Sequence, residues 1–284
     1  MPSPHAPPQK SGALKWVGIL LIAAGVGGFL YSRGGGAPAL VAETAAQFQA
    51  GIDACSAGDY DTGLPAIRQA AEQAHRLRQA AEDPRTRDRL SDIEADAYFH
   101  LASFALRRIQ NRTRPDREAA KRAGETYSIP AALLAGPEAD VRRSLAVSAS
   151  RPEVHFLLGF ILREQGRLAS AAAAFQEAVE RATEPFPKAH NALGDVYYML
   201  KDYDRAREHF NIAVQLNPEY AGAHLNLGLY YANRPPDARD AADVAAARKH
   251  LSRFLELAEK EENESAADIQ SARDALAALP APGG

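Results

Sequence analysis

The sequence predicts an all-α protein of stacked helix-turn-helix repeats, with a single apolar helix ahead of them. Three observations predict this. Hydrophobic residues make up 46% of the chain and charged residues 24%, yet aromatics only 7%, and alanine is abundant, a balance that favours helices. A two-block pattern of apolar residues at helical spacing recurs through "HFLLG" at 155–159, "HNALG" at 190–194 and "HLNLG" at 224–228, whose glycines lie 35 and 34 residues apart. Finally, Trp16 to Tyr31 is an apolar run with no charge between Lys15 and Arg33.

Residues 1–15 open with "MPSPHAPPQKSG", too polar and proline-rich to pack, and read as a disordered cytoplasmic tail. Residues 16–32 follow as a transmembrane signal-anchor helix. At about 1.5 Å per residue the run Trp16–Tyr31 covers roughly 24 Å, short for a hydrocarbon core of about 30 Å unless flanking residues snorkel. Trp16 and Tyr31 suit the two interfaces, and Lys10 and Lys15 before the span against Arg33 after it keep the amino terminus in the cytoplasm. The alternative is a cleaved signal peptide, with Ala37-Pro38-Ala39 as its cleavage site. Either reading exports the remainder, onto the periplasmic side in a bacterium. Residues 33–42, beginning "RGGGAPA", form a flexible linker.

The +3 of residues 1–34 against −3 overall leaves about −6 for the other 250 residues, an acidic body that disfavours nucleic acid as a ligand. Cys55 is the only cysteine, which excludes an intrachain disulfide or a cysteine metal site and leaves it the role of a small buried residue.

In "AHNALGDVYYMLKDYDRAREHFNIAVQLNP" at 189–218, two apolar blocks flank "KDYD", and Pro218 ends the second. The preceding copy matches position for position: Leu158, Gly159, Leu162, Ala171, Phe175 and Ala178 answer Leu193, Gly194, Tyr197, Ala206, Phe210 and Ala213. These residues resemble the tetratricopeptide repeat, with its 34-residue period of small and large positions. The resemblance implies an α-solenoid in which Gly194 and Ala206 mark a close helix crossing and Leu193, Tyr197 and Phe210 fill the gaps beside it. It covers 151–262 as three repeats, 152–186, 187–220 and 221–261. The third carries a turn insertion, "NRPPDARDAADVA", after which its second helix resumes at about Ala247, with Leu251 and Phe254 as packing positions.

Residues 43–150 read as a degenerate region of the same kind. Gly51, Gly58-Asp59-Tyr60, Ile67 and Ala70 keep the register, Ile93, Ala97, Leu101, Phe104 and Leu106 mark a further helix, and Val141, Leu145 and Ser148 another. Residues 264–280 form a capping helix whose Ile269, Ala272, Leu276 and Leu279 cover the open end of the last repeat.

No phosphate-binding glycine loop, nucleophile elbow, zinc helix or calcium loop occurs, so no enzymatic activity, cofactor or metal is expected. His155, His190 and His224 hold the fourth position of three successive first helices. Such positions lie roughly 8–10 Å apart, too far for one ion, so the histidines are packing residues, as are Gly159, Ala171, Gly194, Ala206, Gly228 and Ala247.

The resemblance places the partner-binding groove one position on, at Phe156, Phe160 and Arg163, then Asn191, Asp195 and Tyr198, then Leu225 and Leu229. Phe156 and Phe160 replace the lysine and asparagine with which some members clamp acidic carboxyl termini, so a hydrophobic or amphipathic segment of a protein partner is expected. Residues 115–150 or the insertion could instead cover this strip. "RRIQNRTRPDR" at 107–117 reads as a helix end and solvated loop, or as a contact with an anionic surface, lipid or acidic partner. The resulting expectation is a membrane-anchored scaffold for an envelope, secretion or maturation complex. The alternatives are a periplasmic holdase for exported clients and, from another class, a metal-binding protein or enzyme.

Overall fold

The computed structural model describes residues 39–123, 127–235, 239–261 and 265–280. The tail, the membrane helix and most of the linker expected at 1–42 lie outside them. Among the described residues there is no strand, and no helix is long and apolar enough to cross a membrane. Eleven helices are described: α1 Ala39–Ser56, α2 Tyr60–Ala80, α3 Pro84–Ala123, α4 Ala131–Val147, α5 Pro152–Glu164, α6 Leu168–Arg181, α7 Pro187–Met199, α8 Tyr203–Leu216, α9 Ala221–Ala232, α10 Ala241–Glu261 and α11 Ala266–Ala278. Residues 39–42, expected in the linker, are the first turn of α1.

Gly36–Leu216 is one compact unit and Asn217 onward belongs to another. In the first, each helix packs on its successor, and α1, α3, α5 and α7 also touch in sequence, so that alternate helices share one face. The turns are chemically alike. Gly58, Gly166 and Lys201 adopt left-handed φ of 90°, 73° and 63°, and each is followed by a residue whose N–H reaches the carbonyl five positions back: Asp59 to Ala54, Arg167 to Leu162, Asp202 to Tyr197, all at 2.9 Å. This Schellman closure ends the first helix of a pair and reverses the chain. Pro152 and Pro187 open α5 and α7 at the position where a missing N–H costs nothing.

A second recurrence fixes each pair. A Cβ on Gly159 would fall 2.6 Å from the Phe175 ring, one on Gly194 2.5 Å from Phe210, and one on Gly51 2.7 Å from Ile67. The bulky residue stands sixteen positions after the glycine each time, so α1–α2 repeats the geometry of α5–α6 and α7–α8. Phe210 therefore lies on Gly194 rather than beside the crossing. Ala171 and Ala206 are buried without exposure.

α3 departs from expectation. It runs through Pro115 to Ala123, so the arginine-rich stretch is helix and not a loop. Its middle, 93–98, is wholly buried and carries carboxylates met by partners from other helices. Glu94 receives His75 at 2.8 Å and Arg78 at 2.7 Å from α2, and Ser144 of α4 donates to the Ala95 carbonyl at 2.7 Å. Asp140 of α4 receives Arg68 at 2.9 Å and Arg143 at 3.1 Å, and Asp96 pairs with Arg151. Buried carboxylates need such partners, since an unpaired one costs several kcal/mol, about 3–5 when a partner is removed.

In the second unit α9 and α10 pair, with Gly228 against Leu251. α10 starts at Ala241, six residues before the expected Ala247. Asp240 and Asp243 explain this: the Asp243 N–H donates to Asp240 at 2.8 Å and the Asp240 N–H to Asp243 at 3.1 Å, a reciprocal capping box. Arg239 donates to the Ala232 carbonyl at 2.7 Å and ties the insertion to the end of α9. α11 packs on both α9 and α10, and fully buried Phe254 shares a cluster with Ala272, a small residue across from a large one.

Candidate functional site

The shared face of α5 and α7 carries two matching stripes. Phe156, Phe160 and Arg163 stand at i, i+4 and i+7 of α5, and Asn191, Asp195 and Tyr198 at the same places on α7, so each set projects from one side of its helix. All six are half-buried. The Arg163 guanidinium lies 4.4 Å over the Phe160 ring and bridges Asp195 at 2.7 Å and Glu164 at 2.9 Å. Burial opposes its charge, but the two carboxylates outweigh that and raise its pKa above the ordinary arginine value. Arg117 of α3 reaches Glu164 at 2.7 Å, so a file of alternating charge, Arg117, Glu164, Arg163, Asp195, crosses three helices.

Phe156 does not face outward alone: its ring meets Phe175 at 5.4 Å and Phe186 at 5.3 Å. Tyr198 packs edge-on against Tyr203 at 5.5 Å. The face thus offers aromatic edges bounded by fixed charges, suited to an amphipathic segment with apolar side chains and at least one polar group.

Leu225 and Leu229 belong to the other unit, and there the chain itself engages them. They pack on the cluster that Ile269, Ala272 and Leu276 of α11 complete. On this rung the terminal helix shares the cluster on which the two leucines pack.

Each of the three histidines has a partner within its own unit. His155 Nε2 lies 2.9 Å from the Ala149 carbonyl, donating to it. His190 Nδ1 lies 3.1 Å from Nδ1 of His209, and His224 Nδ1 lies 3.0 Å from Nδ1 of His250. Sequence reasoning missed His209 and His250. The signal was there: each stands just before the bulky residue, Phe210 or Leu251, that covers the glycine of its pair. Burial and then the facing ring hold His190 below the ordinary histidine value, burial lowers His209 and His224, and His250 is pushed down to about 4 by burial, His224 and Lys249. Among the described residues no group of three or more His, Cys, Asp or Glu could hold a metal ion.

In 107–117, Arg108 pairs with Asp61 and Arg117 with Glu164, while Arg107, Arg112 and Arg114 form no ion pair among the described residues.

The tetratricopeptide repeat family model matches residues 138–188, 156–221 and 191–250. No protein of curated function matches the sequence. Similar solved structures include MamA, 16% identical over 77% of this chain and 92% of its own, with a TM-score of 0.48. PilF of Pseudomonas aeruginosa is 18% identical over 82% of this chain and 87% of its own, at 0.49. YrrB, described as a TPR protein with an unusual peptide-binding site, is 17% identical over 65% and 87%, at 0.39.

Proposed function

We propose that this chain, with tetratricopeptide repeats matched over 138–250, is a non-enzymatic scaffold that holds a hydrophobic or amphipathic segment of another protein on the face of α5 and α7. The observation that carries the reading is the half-buried set Phe160, Arg163 and Asp195. The guanidinium is fixed between an aromatic ring and a carboxylate across two helices, so the surface is held in place before a partner arrives. Residues 16–32 anchor it as a single membrane span, with the repeats on the periplasmic side if the host is a bacterium, where it serves assembly of an envelope, secretion or maturation complex.

The test is site-specific photocrosslinking in cells from Asn191, and from exposed Glu180 on α6 as a control. A discrete adduct from Asn191 that disappears when Phe160→Asp is added, with none from Glu180, supports the reading. Equal adducts from both positions, or an Asn191 adduct indifferent to Phe160→Asp, overturn it. Protease accessibility in spheroplasts tests the topology separately.

A further inference from the structure

The second half of α3 carries arginines that the groove does not use. Between Phe104 and Arg117 the sequence holds five arginines and one acid, Asp116, on a body that is otherwise acidic. Most arginines of this unit are consumed internally: Arg68 and Arg143 by Asp140, Arg78 by Glu94, Arg163 by Asp195. Arg108 and Arg117 are likewise spent, tying α3 to α2 and α5. Arg107, Arg112 and Arg114 are left with no carboxylate among the described residues.

Their placement is orderly. At about 100° per residue, Arg107, Asn111 and Arg114 fall within roughly 60° of one another, while Arg112 stands about 140–160° round the helix from the two arginines. Leu106 and Thr113, both buried, lie about 80–120° round the helix from Arg107 and Arg114 and hold it to the core. One heptad along a helix is about 10 Å, so Arg107 and Arg114 present two forked donors at that separation on a rigid support.

We propose that this stripe docks an acidic polypeptide segment of a protein partner, one presenting carboxylates about 10 Å apart. Anionic lipid is the competing occupant. A helix that settles into a bilayer surface brings apolar side chains beside its basic ones. The exposed large apolar residues of the described chain are Leu40, Leu133, Met199, Leu200, Tyr203 and Leu216, and none lies on α3. Guanidinium forks with an amide between them and no exposed large apolar neighbour on the helix fit carboxylates on a chain.

The test uses the full chain in non-ionic detergent and a fluorescent helical peptide with glutamates seven residues apart, against a scrambled peptide of equal composition. Anisotropy should show saturable binding, at least about fivefold tighter for the ordered peptide and weakened by added salt. Arg107→Glu/Arg114→Glu should lose at least about tenfold while keeping its circular dichroism spectrum, and Arg112→Glu, off the stripe, should lose far less. Phe160→Asp should bind the peptide as the unaltered chain does, which separates this surface from the groove. Equal binding by the double variant overturns the proposal. So does a wild-type chain that ignores the peptide but partitions into phosphatidylglycerol-doped micelles through these arginines.

Discussion

His224 and His250 face each other through their Nδ1 atoms at 3.0 Å, and His224 Nε2 lies 3.0 Å from the Pro218 carbonyl. A carbonyl only accepts, so Nε2 of His224 carries hydrogen and its Nδ1 accepts from His250 Nδ1–H. The bond is made with both rings neutral, and the same pairing joins His190 to His209 one rung earlier. His100 adds a third buried imidazole, set among Phe48, Phe99 and Phe104 and pushed down to about 4 by burial and then by Arg151. Each of these groups binds protons more weakly when folded, so the unfolded chain takes up the excess. Stability is complete above pH 6.5 and falls as the pH drops from there toward 4. For His100 alone the full effect is about 3 kcal/mol. Thermal melts should give a flat midpoint between about pH 7 and 8 and a steady decline below 6.5, shallower in His100→Phe. A midpoint indifferent to pH over that range would contradict this account.

Lys201 takes a left-handed φ of 63° where Gly58 and Gly166 stand in the equivalent turns. A side chain there crowds the following carbonyl, which glycine avoids. Lys201→Gly should raise stability by about 1 kcal/mol, and Gly166→Ala should lower it by a similar amount, read from urea midpoints at unchanged slope.

Gly194 has no room for a side chain, since a Cβ would meet the Phe210 ring at 2.5 Å. Gly194→Val should cost about 1–3 kcal/mol through overpacking. Pairing it with Phe210→Ala should recover part of that loss, and additive losses in the double variant would place the strain elsewhere.

Cys55 is fully buried, and its thiol is pushed up to about 11 by burial and then by Asp59. Thiolate is the reactive form, so the native chain should resist a disulfide reagent at pH 8 and react fully once unfolded in urea. Prompt labelling of the native state would mean that the α1–α2 pair opens.

The helices of the repeats were legible because glycine, its bulky cover and the turn recur at fixed spacing, and local chemistry alone writes that pattern. Three features were not. α3 passes Pro115 because that residue is exposed and the helix is held on both sides of it by Leu106, Thr113 and Arg117, so one missing hydrogen bond does not end it. The early start of α10 depends on the Asp240–Asp243 box, which an alignment counted from Ala247 passes over. The histidine pairs and the cluster that takes in Leu225 depend on further helices, and reading the stripes of the first helices alone could not find them. At the candidate face the stripe positions could be read from spacing, but the Arg163–Asp195 bridge joins residues 32 apart and only the packed helices bring it together.

The seven extra residues of the last pair leave Gly228 seated on Leu251 as Gly194 is on Phe210. Both halves of that fit are supplied by the same pair of helices, so a change in one rung is answered within that rung. The smallest part of this protein that can be exchanged, lengthened or left to drift is therefore a whole pair of helices. A helix moved alone would arrive without the side chain cut to its glycine.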